Sequence, residues 1–545
     1  MKITALLLTL SISASALSLS DINDKEPSRA KNFLIWQYLQ QDVTPSQADE
    51  AFYQIKNVNS KLFLTYAKKS DNKEVKYTAK CMRVPLKTFQ ANSVEDINCI
   101  RLSLSPYKFS KLDNEKQKQY AKSVESFKAF SWTTLMLNSS ALSNINIEQY
   151  KEYLRVYNGA GKDYRRENLN HLLSVEVVEK ISTHWAFSQF VKLSVTDKKM
   201  GNIHHALLSL KNRKLSAQTL FFLGLNALNQ GENRMAYNLF EDSKKKAYFR
   251  HNKDKASFWQ YQALKDRAIL KELSAQVDIN VYTLYAQEEF KKIPTNYFIT
   301  LQKDDKKQAS ALSDPFKWNK ILTNIKETPK ERLYLLASQY NAENELPIKA
   351  FIVERASGYT EHNFITPYQE YMQDLDVSQR ATMLSLMRQE SHFIPAALSR
   401  SYALGLMQMM PFLVKILDKK MDDKMVGFSD MFEPKRNITY AKRHIAYLEK
   451  YLYHPLFIAY AYNGGMGFTK RLLLDDTFVE GKYEPFMSME MIANAESREY
   501  GKKVLANYVM YRRILGQRES IHTLFDKLLP PFESDYFRKR ALAQR

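Results

Sequence analysis

The residue that most invites chemistry is Glu390, at the end of the apolar run "MLSLMRQESH", Met383 to His392. Met383, Leu386 and Met387 recur at the spacing of one helix face, and Glu390 shares that face, so packing the run also packs its carboxyl group. Taking a carboxylate out of water is costly unless it is paired, protonated or employed, and burial lifts its pKa toward neutrality. A carboxyl group so tuned can act as the general acid that a glycosidic bond needs at its leaving oxygen. No paired second carboxylate, as in ordinary glycosidases, is evident near the motif. The ten histidines form no His-Glu-x-x-His or comparable spacing, so no metal is expected. Alone, a glutamate closing an apolar stripe is more often a helix-end residue reaching solvent, so the neighbouring runs decide its meaning.

Three such runs follow in order: "GLMQMMP", "AYAYNGGMGF" and "AESREYGKKVLANYVMY". With "RQESHF" they resemble the catalytic domain of the soluble lytic transglycosylases, enzymes of bacterial cell-wall peptidoglycan with a lysozyme-like fold. That family shows a Glu-Ser pair, a Gly-Leu-Met-Gln-x-Met-Pro run, an Ala-Tyr-Asn-x-Gly run and a late Glu-(Thr/Ser)-Arg-x-Tyr element. The resemblance covers about residues 364 to 516. It implies that Glu390 is the single catalytic acid/base and that Ser399 lies beside it. Gln408 and Met410 would line the sugar cleft. Tyr462 and Asn463 would contact the carboxyl group and substrate from the opposite wall, and Glu496 would bind substrate or organise the cleft. No cofactor is implied. One run departs from the pattern: the usual Ser-Pro-x-Gly-Ala-x-Gly stands here as Ser399-Arg400-Ser401-Tyr402-Ala403-Leu404-Gly405. Arg400 and Tyr402 must therefore reshape that loop or the subsite it borders.

The elements that would position these residues are helical. With 14 glycines and 16 prolines in 545 residues, against typical shares of about 7% and 5%, turn-rich β folds and glycine-rich nucleotide folds are disfavoured. Residues 17–363 read as an N-terminal superhelix of irregular helical hairpins, in which Leu223, Gly224, Gly231, Ala236 and Phe240 resemble tetratricopeptide spacing. Whether it closes into a ring is open. Pro367 breaks the pattern, and residues 364–545 form the second expected unit, a lysozyme-like α domain with a small β or loop region. Asp376 or Ser378 should cap the Glu390 helix, and Pro411 should begin another. Ile438, Ala441, Ile445, Leu448 and Leu452 keep a core-facing helical stripe.

Residues 1–16 read as a signal peptide, with Lys2 before an apolar run and Ala14-Ser15-Ala16 as a small-x-small cleavage site. Export places the mature chain in the periplasm, where Cys81 and Cys99 should pair in a disulfide. No later segment has the roughly twenty apolar residues of an integral membrane helix. The net charge of +21 suits an anionic polymer, and export makes nucleic acid an improbable partner. The expected partner is the peptidoglycan glycan strand, met by a monomer. The resemblance implies a lytic transglycosylase that cleaves the MurNAc-GlcNAc bond by intramolecular attack, leaving 1,6-anhydro-MurNAc ends. Its rivals are a hydrolytic muramidase using the same Glu390 and a non-catalytic helical-repeat scaffold.

Overall fold

The computed structural model describes residues 17–138, 142, 144–304, 312–425, 427–475 and 477–543. The leader read at residues 1–16, with its cleavage site, lies outside the described residues. Helices dominate from Ser20 to Ala543, and the only sheet among the described residues is a pair of two-residue parallel strands, Tyr297–Phe298 and His362–Asn363.

Up to residue 356 the chain runs as a succession of short helices. The helices Ala217–Asn229 and Asn233–Lys246 make the closest hairpin, and Arg250–Leu264 packs on the second of them. Their approach depends on Gly224: a β-carbon there would sit 2.5 Å from the Phe240 ring. A disulfide joins Cys81 to Cys99 across the helices Lys73–Met82 and Ile97–Ser103, with 4.3 Å between the Cα atoms.

The second part is built around its longest helix, Ala495–Ile514, against which both Val377–Ser391 (the Glu390 helix) and Pro455–Gly464 pack. Local sequence explains the boundaries. Asp376 caps the Glu390 helix in a reciprocal capping box with Gln379, and Pro411, Pro434 and Pro455 each open a helix where a missing N–H costs nothing. Residues 392–410 form a loop held by the bridges Leu398↔Leu404 and Leu404↔Met409. Ile438, Ala441, Ile445, Leu448 and Leu452 are all buried.

The hydrophobic core runs continuously across residue 363, so the change of helix pattern there is not a break in packing. A polar cluster and an aromatic one tie the parts together. On one side Tyr282 donates to the buried Glu490, whose two oxygens each lie 2.9 Å from Lys502 Nζ, while Lys255 stands 3.5 Å from Glu499. Charges this deeply buried persist only when paired, and here partners from the N-terminal helices complete the pairing. On the other side the first helices return to the loop after Glu390: Phe33 and Trp36 flank the Tyr402 ring at centroid distances of 5.3 and 5.4 Å.

Candidate active site

The Glu390 helix delivers its carboxyl group to a cleft of about 910 Å³. Met383, Leu386 and Met387 on the same face are buried, as their spacing requires, whereas Glu390 is half-buried and keeps an opening to the cleft. Burial pushes its carboxyl up from the ordinary 4.5 to about 7; the Glu496 charge adds to that, and a hydrogen bond from Tyr500 works against it. The Tyr500 hydroxyl donates to Glu390 Oε1 at 2.7 Å. Near pH 7 the group is therefore divided between its acid and base forms, which suits alternate proton donation and acceptance.

Tyr500 lies one helical turn after Glu496, on the first turns of the long helix. Its placement depends on Gly501, because a β-carbon there would fall inside the Tyr460 ring of the helix Pro455–Gly464. Without a side chain at 501 the two helices close up, with Tyr462 on one and Tyr500 on the other. Burial, followed by the Glu390 charge, holds both phenols well above their ordinary pKa, so they remain neutral donors.

The remaining expected residues divide by their contacts. Tyr462 sends its hydroxyl to the Met407 carbonyl at 2.7 Å, so the direct contact with the Glu390 carboxyl belongs to Tyr500. Asn463 donates to Glu496 Oε1 at 3.1 Å and accepts from Ser497 Oγ at 2.7 Å, joining the helices Pro455–Gly464 and Ala495–Ile514; Tyr462, Asn463 and Glu496 are not among the described residues that line the cleft. Glu496 is exposed, and Arg498 pairs with Glu499 at 3.1 Å. Ser399 lines the cleft, but its hydroxyl oxygen accepts from the Ser401 and Ala403 amides and so shapes the loop. Gln408 also lines the cleft while its side-chain amide donates to the carbonyls of Ala397 and Gly405, at 3.0 and 2.8 Å. Met410 sits at the N-terminus of the helix Pro411–Asp418 and is not among the described residues that line the cleft.

Sequence reasoning left Tyr500 out of the candidate residues although it ends the quoted "ESREY" element. The i,i+4 relation of Glu496 and Tyr500 was the available signal, since it puts both on one helix face. His392, which caps the C-terminus of the Glu390 helix with φ of 51°, was also passed over. It lines the cleft, packs edge-on to Phe351 and is held neutral, its pKa pushed down to about 4 by burial. Behind it, Arg388 pairs with the buried Glu354 and fixes the end of the helix.

Residues 368–483 match the family model described as the transglycosylase SLT domain. Through this domain the chain is similar to the soluble lytic transglycosylases. A Haemophilus influenzae protein provisionally named a soluble lytic murein transglycosylase is 32% identical over 213 residues, 37% of this chain and 34% of that protein. The soluble lytic murein transglycosylase of Salmonella typhimurium is 29% identical over 183 residues, 32% of this chain and 28% of its own. These matches span about a third of the relatives' length. The fold likeness extends further: the 70 kDa soluble lytic transglycosylase of Escherichia coli superposes with a TM-score of 0.51 at 16% identity, covering 92% of this chain and 84% of that one. The SLT domain match contains Glu390, Gln408, Tyr462 and Asn463, while Glu496 and Tyr500 lie on the long helix beyond it.

Proposed function

We propose that the protein is a lytic transglycosylase of peptidoglycan, with Glu390 as its acid and base. The observation that carries this reading is the Glu390 carboxyl itself: desolvated to a pKa of about 7, open to a cleft and held by a neutral Tyr500. In the first step protonated Glu390 gives its proton to the oxygen between the MurNAc anomeric carbon and the GlcNAc leaving group, and that carbon–oxygen bond breaks. In the second, Glu390 as carboxylate takes the proton of the same MurNAc 6-hydroxyl, whose oxygen bonds to the anomeric carbon. The products are a GlcNAc end and a 1,6-anhydro-MurNAc end, no water is consumed, and Glu390 returns to its acid form. An internal nucleophile already held near its target competes well with water. Tyr500 donates to the carboxyl and steadies its charged form in the second step.

The likeness of the SLT domain to named murein transglycosylases supports the substrate class. Among the described residues no helix is long and apolar enough to cross a membrane; a periplasmic location and a monomeric state belong to the same proposal. The two-part organisation at residue 363, with the N-terminal helices holding the polymer, belongs to the same proposal. A second reading, the hydrolytic muramidase, draws on one observation: the Glu496 charge reaches Glu390, so a second carboxylate is near. Glu496 is exposed and bonded to Asn463, and in this reading it is the water-activating base. The activity is tested on purified sacculi, which the wild-type protein should clear and Glu390→Gln should not; persistence of intact sacculi with the wild type would remove the enzymatic proposal.

A further inference from the structure

The cleft that receives Glu390 has a second wall from outside the SLT domain. Arg29, Asn57, Trp318 and Phe351 of the N-terminal part line it together with Arg400 of the catalytic loop. This wall is fastened to that loop: Arg29 Nη1 donates to the Leu398 carbonyl at 2.8 Å and Lys61 Nζ to the Ser401 carbonyl at 2.9 Å. Tyr402, bent to a φ of 66° in the left-handed region, is almost fully buried by Phe33 and Trp36. A bulky residue takes that backbone conformation at a cost, and the aromatic contacts with the helix Arg29–Tyr38 offset it. Of the two residues by which the loop departs from the family pattern, Tyr402 packs against the N-terminal part and Arg400 lines the cleft with Arg29.

Holding the arm against the loop sets two guanidinium groups at one edge of the cleft. Burial, and then the Arg400 charge, lowers the Arg29 pKa. Among the described residues neither Arg29 nor Arg400 has a carboxylate within ion-pair distance. Two exposed guanidinium groups lining one cleft without a counter-charge repel each other until an anion arrives, and the planar guanidinium favours carboxylates.

We propose that Arg29 and Arg400 form a carboxylate-binding subsite at the edge of the Glu390 cleft, taking the free carboxylates of the peptide stems on the glycan strand. This rests on the reading of the glycan strand as substrate. It makes the N-terminal arm part of the substrate site and assigns to Arg400 a role that a proline at that position could not fill.

Binding separates charge recognition from turnover when measured in a Glu390→Gln background. The probes are peptide-bearing glycan tetrasaccharides and the same molecules with their carboxylates converted to amides. The Arg29/Arg400 pair should bind the free-acid probe about tenfold more tightly than the amide probe, as two partly exposed charge pairs would give. Arg29→Gln with Arg400→Gln should erase that preference, and Arg400→Lys should keep part of it. Because Arg29 also anchors the loop, Arg400→Gln alone, at an exposed side chain, checks the result without disturbing the anchor. A preference unchanged in the double variant, or equal loss of both probes, would overturn the subsite. Sacculus clearing by the wild-type protein, measured in parallel, distinguishes failure of the subsite from failure of the transglycosylase reading.

Discussion

Replacing Glu390 with Gln should stabilise the protein by an amount that grows with pH. The fold holds this carboxyl at about 7 against an ordinary 4.5, a difference worth about 3 kcal/mol at 1.36 kcal/mol per pK unit. Below about pH 4.5 both the folded and unfolded chains carry the proton, and the term vanishes. Between about 4.5 and 7 the unfolded chain releases the proton while the folded chain keeps it, so stability declines as pH rises. Above about pH 7 the folded chain must hold a desolvated carboxylate, and the full cost applies. Glutamine has no such slope, and its carbonyl can still accept from Tyr500. Denaturant unfolding of both proteins should therefore show Glu390→Gln ahead by less than about 1 kcal/mol at pH 5 and by about 3 kcal/mol at pH 8. The N-terminal helices are identical in the two proteins and cancel in the difference. A gap that is the same at both pH values, or a glutamine variant less stable at pH 8, would refute the desolvation argument.

Two other outcomes follow from single contacts. Tyr500→Phe removes the hydrogen bond that lowers the Glu390 pKa, so the alkaline limb of the activity profile should move to higher pH while the rate drops; a profile with an unmoved limb would mean that Tyr500 does not touch the working carboxyl. Cys81→Ser with Cys99→Ser opens a bridge of sequence separation 18 and should cost about 3 kcal/mol in the unfolding of the N-terminal part, without changing the Glu390 titration; equal stability with and without reductant in the wild type would show that the bridge contributes nothing.

The sequence disclosed short-range features and hid long-range ones. The Glu390 helix, its Asp376 cap, the proline helix starts and the stripe from Ile438 to Leu452 are set by neighbours a few residues apart, so periodicity and capping chemistry reveal them. The Tyr282–Glu490–Lys502 cluster joins positions more than two hundred residues apart, and Asn59 reaches Tyr402 across 343 residues. No local pattern signals such contacts. Tyr402 is the clearest case: a tyrosine where the family pattern has glycine looked like a disturbed loop, and only the aromatic side chains of a distant helix explain how that backbone turn is retained. At the site itself the residue types were legible but their assignments were not. Tyr462 and Tyr500 stand near one carboxyl group on two helices, and their tertiary packing, which no local pattern signals, sends one hydroxyl to Met407 and the other to the carboxyl.

The central claim is that Glu390 works with an internal nucleophile and without a water-activating partner. Mass spectrometry of the soluble products from wild-type digestion of sacculi tests it most directly, because an anhydro end is lighter than a hydrolysed end by one water. Predominantly 1,6-anhydromuramic ends, still formed when Glu496 is changed to Gln, are the predicted result. Predominantly hydrated, reducing muramic ends that disappear in Glu496→Gln would contradict it and assign the chemistry to water activated by the second carboxylate.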